Sequence, residues 1–368
     1  MPDPISYLKA SIAAVVASAM IVLAFRLVMR KSVHSIAAVI CVLAVAGGVV
    51  AGYRVLQFSW TWPAANALNR FLMIVLPATV VVELLAAVFG RARLLPSCDQ
   101  PLVRSFAVPS GNGDSEHLST RILTNSATKR SGFRYPLVFR LALYASVGRI
   151  LLHDSVYLGE FGNGNPDAWT VAQALAAFGG SFAGLIALWS LLCRLSERSA
   201  AGSITVSLAM AIQCTGLATM MAGYIKGGSA AIPLAAALAG TTLASSLLAK
   251  GFGGSDNRSL QGTIGIGVIG LFSLLCISHY FGQLTGLRSI VLFLTPLLCW
   301  MSEVPGLRSR PPWQKSSMRL IAVTIVLAAV LFVAKRDFDR KMAPLLVSVS
   351  SPETGLRWSS GSEPDFLT

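Results

Sequence analysis

Charge is what this sequence has least of. Only 12% of its 368 residues are charged, about half of the roughly 25% carried by a soluble domain. That deficit excludes a water-soluble globular protein with an ordinary surface. The charge present is lopsided: 30 lysines and arginines against 16 acidic residues, a net +14 and a pI near 10. No recognition helix, RNP-like aromatic run or metal-finger spacing accompanies it, so nucleic acid is not an expected partner. Histidine occurs four times, with no HExxH pair of the kind a zinc hydrolase uses. The six cysteines, Cys41, Cys98, Cys193, Cys214, Cys276 and Cys299, form no CxxC and suggest neither a disulfide framework nor a metal set. All but Cys98 lie in or beside apolar segments and read as small hydrophobes. "GFGGSDNRS" at 251–259 has the glycines of a phosphate-cradling loop without its lysine or its strand–helix setting. No cofactor and no metal is expected.

What is there is apolar length. Hydrophobic residues make up 54% of the chain, and the mean hydropathy is +0.66. A helix needs about 20 mostly apolar residues to cross a bilayer. That test predicts spans at about 10–29, 35–53, 71–90, 137–156, 169–193, 203–225, 229–249, 263–282, 288–304 and 319–335. The last two are the shortest and rely on Arg288 and Arg319 reaching out of the hydrocarbon at their ends. The first run, preceded by a single Lys9 and followed by Arg26, Arg30 and Lys31, reads as a retained helix rather than a cleaved signal. The fold class is therefore all-α: a polytopic integral membrane helix bundle of about ten transmembrane helices over 1–335. Residues 91–135, rich in Ser, Gly, Asn and Thr, read as a flexible loop, and 336–368 as a polar, disordered tail.

Orientation follows the lysines and arginines. The connection 30–34 is basic, and 91–135 carries Arg91, Arg93, Arg104, Arg121, Lys129, Arg130 and Arg134. Both are expected in the cytoplasm, with Trp60 and Trp62 anchoring the intervening loop at the outer interface. The stretch "LVFRLALYASVGRILLHDSVYLGEFG" from 137 decides the rest. If it spans, the following loop holds Asp154, Glu160 and Asp167 without a basic residue, and later basic loops face the cytoplasm. Lys335, Arg336, Arg340 and Lys341 weigh the other way. The stretch is apolar on nearly all sides, whereas a helix lying on the surface needs a broad polar face, so spanning is the reading. Both termini are then outside. Anionic lipid headgroups are the expected partners of the basic loops, and a bacterial-type plasma membrane is the expected location.

The ionisable residues inside these spans are the candidate site. Arg140 and Arg149 are nine positions apart, on opposite faces of one helix. Arg140 is expected roughly 6 Å from the cytoplasmic end and Glu83 of the preceding span roughly 10 Å from it. Unpaired, each costs about 2.5–3.5 kcal/mol in hydrocarbon, which predicts a Glu83–Arg140 ion pair between neighbouring helices. Arg149 lies deeper, sharing a narrow face with Ala142, Ser146 and His153. It is expected either to reach the acidic loop or to line an anion site open to the outside. Gln213, mid-span, is expected to bond a neighbouring helix. Ser181 in "GGSFAG" and His279 lie at different depths, so no serine-protease pair is expected, and no catalytic constellation is found. Gly48/Gly52, Gly180/Gly184 and Ala236/Gly240/Ala244 predict close helix packing, within the chain or between copies in a homo-oligomer. For function, a small-molecule or ion permease leads. A structural or assembly protein is the alternative, and a lipid-modifying enzyme the third.

Overall fold

The computed structural model describes residues 4–28, 33–58, 62–64, 66–91, 134–158, 169–198, 201–252, 260–303 and 311–349. Every regular element among them is helical: α1 (Pro4–Val28), α2 (Val33–Val55), α3 (Ala67–Arg70), α4 (Leu76–Arg91), α5 (Arg134–Leu152) and α6 (Val171–Arg198), then α7 (Ala201–Met221), α8 (Ile225–Ser229), α9 (Ala231–Phe252), α10 (Gln261–Tyr280), α11 (Gly286–Leu294) and α12 (Pro312–Val349). The protein is an all-α polytopic bundle, and nine helices among the described residues are long and apolar enough to cross a membrane. Most of the 91–135 loop, and the tail beyond Val349, lie outside the described residues, as does Trp60. Trp62 is exposed.

Two spans contain a π or 3-10 segment, each beside a proline. A π turn at Phe71–Val75 joins α3 to α4, closed by the Leu76 N–H donating to the Phe71 carbonyl. Pro77 follows directly, and its missing N–H and ring strain an ordinary α turn there. After α11 the chain tightens into a 3-10 helix, Thr295–Glu303, with Pro296 at its second position. A 3-10 turn rises about 2.0 Å per residue rather than 1.5 Å. The 18 residues from Gly286 to Glu303 therefore extend about 31 Å, close to the roughly 30 Å hydrocarbon thickness. The proline-induced tightening lengthens a segment that looked too short.

The helix α5 is not among the nine, yet it runs lengthwise through the bundle. Near one end, Asp154 accepts from Arg70 at 2.7 Å; nearer the other, Arg140 holds Glu83. The two contacts are 13 residues apart along α3/α4 and 14 apart along the α5 segment, about 20 Å on each helix. A helix lying across the bundle's end could not make both. The segment expected at 137–156 stops being α-helical at Leu152, with Asp154 at φ 56°, and a short 3-10 turn at Val156–Leu158 follows.

The centre of the bundle is α10, whose residues are almost all buried and which touches α2, α4, α5, α6, α7, α9 and α11. Its glycines make this possible. A Cβ on Gly265 would collide with the Glu83 carboxylate, one on Gly267 with Leu208, and one on Gly270 with Leu234. Around it, α1, α2 and α9 form a second close-packed group. Gly48 faces Ala14, Ser18 and Ala237, Gly52 faces Pro233, and Gly240 faces Val15 and Ser18. Small residues let backbones approach until dispersion holds them, which lipid cannot match. The expected Gly180/Gly184 pair behaves differently: Gly180 has no atom within 4 Å of a built Cβ, and Gly184 meets only Phe293.

The two ends of the bundle differ. At one, the Tyr53 hydroxyl donates to the Ala230 carbonyl at 2.8 Å, and Tyr157, Trp169 and Tyr280 form a ring cluster with centroids 5.3–5.5 Å apart. At the other, α12 begins beside the end of the 3-10 segment. The helix α12 overturns the expected end of structure at 335. It is 38 residues long, about 57 Å, so the first part of the tail, 336–349, continues as helix. Asp337 and Lys341 hold it there, against Arg288 and Gln283.

Candidate functional site

The pair expected from sequence is present and deeply enclosed. Glu83 projects from α4 into the notch left by Gly265 on α10, where its side chain is 1% exposed. Arg140 of α5 meets it with two nitrogens. The Nε donates to Oε1 at 3.0 Å and Nη2 to Oε2. This two-point geometry is the strongest an arginine and a carboxylate can form. The guanidinium also lies 5.0 Å from the centre of the Trp189 ring of α6, a cation–π arrangement. One turn along α5, Tyr144 stands edge-on to the same indole at 6.1 Å, and Cys193 is one turn beyond Trp189 on α6. The Tyr144 hydroxyl and the Trp189 Nε1 are both buried and have no hydrogen-bond partner among the described residues. Four helices thus enclose a neutral charge pair walled by two aromatic side chains. Its chemistry is that of a fixed ionic clamp: both charged ends are engaged.

The other candidates are not gathered there. Arg149 is exposed on the outer face of α5, as is Ala142, and Ser146 donates to its own helix at Leu143. The polar face expected to line an anion site therefore looks away from the bundle. Nor does Arg149 meet Asp154, which belongs to Arg70. Glu160 and Asp167 lie outside the described residues. His153 is exposed, with Nδ1 2.7 Å from Asp154 Oδ2, while its carbonyl accepts from Arg70. Gln213 is half-buried on α7 and bonds no other helix among the described residues.

Three ionic sites are new, Arg70–Asp154 and two that involve arginines expected to reach outward. Arg319 instead is the largest fully buried side chain described, at 1% exposure. Its Nε donates to Ser302 Oγ at 2.5 Å, Nη1 to Ser203 Oγ at 3.3 Å and Nη2 to Glu303 at 2.9 Å. It ties the start of α12 to the start of α7 and the end of the 3-10 segment. Nearby, Cys299 donates to Ser207 Oγ at 3.3 Å. Arg288 pairs with Asp337 of α12 at the opposite end. The signal for Arg319 was present in "WMSEVP": a serine and a glutamate end the neighbouring span at the same level. Arg70 and Asp154 carried no such cue, because the loop between their helices conceals their pairing. Among the described residues, no three of His, Cys, Asp and Glu are grouped to hold a metal.

Comparison with known proteins finds no family model, no curated protein and no solved structure that matches this chain. The fold and its ionic clamps define a multi-pass helical membrane protein.

Proposed function

We propose that this chain is a structural or assembly component of the membrane, with a bacterial-type plasma membrane as its setting. What carries the reading is the filled axis: α10 occupies the centre and its glycine notches are taken up by side chains of its neighbours. A permease needs a polar path through that region, and the charges nearest to it, Glu83 and Arg140, neutralise each other. Assembly needs a face for a partner, and α6 has one. Ala172, Ala176, Gly180, Ala183 and Ala187 form an exposed stripe of small residues along it, suited to a second copy of this helix.

Permeation is the second reading, favoured by the unpartnered Tyr144 hydroxyl and Trp189 Nε1 beside the ion pair. Liposomes containing the purified protein separate the two. The expected leak of potassium, chloride and small amino acids equals that of protein-free liposomes. Saturable flux that falls on Glu83→Gln would establish the permease and overturn the assembly reading.

A further inference from the structure

Where α12 leaves the apolar part of the bundle, a cavity of about 370 Å³ opens between it, the end of α7, the α10–α11 connection and the first turn of α11. Its polar lining is Gln283, Thr285, Arg288, Asp337, Arg340 and Lys341. Three cations therefore face one carboxylate. Asp337 is taken by Arg288, and Lys341 Nζ is held by Gln283 Oε1 at 2.9 Å. Arg340 has no ion-pair partner among the described residues. The lining therefore carries two positive charges more than it neutralises. Arg340 also borders a second depression of about 400 Å³ with Phe332, Lys335, Arg336 and Asp339, where Asp339 faces Lys335 at 3.9 Å and the lining keeps a positive excess.

The depth of this cavity indicates what it holds. Its floor includes Ala218 and Met221, where α7 ends, and Ala334, where the apolar stretch of α12 ends. Just before that level Phe332 is 70% exposed, on a helix with Ile321 and Ile325 also open. The hollow has an apolar floor, and its Arg340 rim is shared with the second depression that the exposed Phe332 borders, an arrangement suited to the boundary between lipid headgroups and acyl chains. Arginine forks and a lysine point charge suit the oxygens of a phosphate.

We propose that this cavity binds a phosphate group, carried by an anionic phospholipid whose acyl chains lie along α12. The site is independent of whether the bundle conducts. Arg288 and Asp337 form the fixed wall, while Arg340 and Lys341 supply the free charge.

The test uses the full chain in a neutral maltoside detergent, with Tm followed by tryptophan fluorescence. Dihexanoyl phosphatidylglycerol should raise Tm in a saturable way, whereas dihexanoyl phosphatidylcholine at equal concentration should not. Arg340→Gln and Lys341→Gln should each weaken that response about fivefold, the effect of one basic residue against an anionic headgroup. Lys315→Gln, at the opposite end of the same helix and lining neither depression, should leave it unchanged. Inorganic phosphate is the second arm. A shift with phosphate equal to that with the lipid would keep the phosphate site but overturn its lipid source. Equal shifts with both lipids, or a phosphatidylglycerol response that survives Arg340→Gln and Lys341→Gln together, would overturn the site itself. Both side chains are exposed, so these variants are expected to fold, and their unliganded Tm checks that directly.

Discussion

Removing one member of the Glu83–Arg140 pair should harm the protein more than removing both, and the structure orders the variants. Glu83 is 1% exposed and Arg140 17%. In Arg140→Gln the carboxylate stays in the Gly265 notch with no cation to face. In Glu83→Gln the guanidinium keeps the Trp189 ring at 5.0 Å and, being less enclosed, can turn toward the membrane surface. Breaking a buried ion pair by removing one partner costs about 3–5 kcal/mol. Arg140→Gln belongs at the top of that range and Glu83→Gln at the bottom. The double variant, with two amides able to bond each other, should lie above both in stability. A charge swap should fail, because the notch beside Gly265 is filled by the shorter carboxylate side chain and has no room for an arginine, which is longer by two heavy atoms. Thermal unfolding of the four proteins in one detergent gives the coupling energy. Strictly additive losses, or equal stability of the two single variants, would refute the argument from enclosure.

Gly265→Val should destabilise by about 1–3 kcal/mol through overpacking against Glu83, and Gly180→Val should be neutral for the monomer; equal effects by thermal melt would undo the account of the α10 notches. Arg319→Leu should cost about 3 kcal/mol or more by stranding Glu303 and two serines, with Arg319→Lys recovering part; a neutral Arg319→Leu in the same assay would return this arginine to a headgroup role. With the six native cysteines replaced, a cysteine at Thr285 should react with an impermeant reagent applied to intact cells and one at Lys315 should not; the reverse pattern would remove α5 as a span or invert the whole orientation, and labelling of both would remove the Gly286–Glu303 span. In the same background, Ala183→Cys should cross-link to a dimer on oxidation and Gly180→Ile should suppress it; a yield no higher than that of Phe332→Cys on α12 would remove α6 as the contact between copies.

Much of this protein follows from its sequence alone. Hydrocarbon allows only self-satisfied helices, so runs of about 20 apolar residues in a chain with 12% charge determine an all-α bundle without any tertiary information. The Glu83–Arg140 pair was legible for the same reason: charge inside such a medium must find its complement, and consecutive helices are neighbours. Depth along a helix can be counted from sequence; direction around the bundle cannot. Arg149 and Arg140 looked equally suited to a site, and only packing turns one inward against Trp189 and the other out of the bundle. Arg319 and Arg288 stand at span ends, where an arginine can as readily reach the headgroups as turn inward. Which occurs depends on Ser203, Glu303 and Asp337, brought near from segments far along the chain. The persistence of α12 to Val349 is decided in the same way. Its polar sequence has no core of its own, and the neighbours that hold it exist only once the bundle has formed.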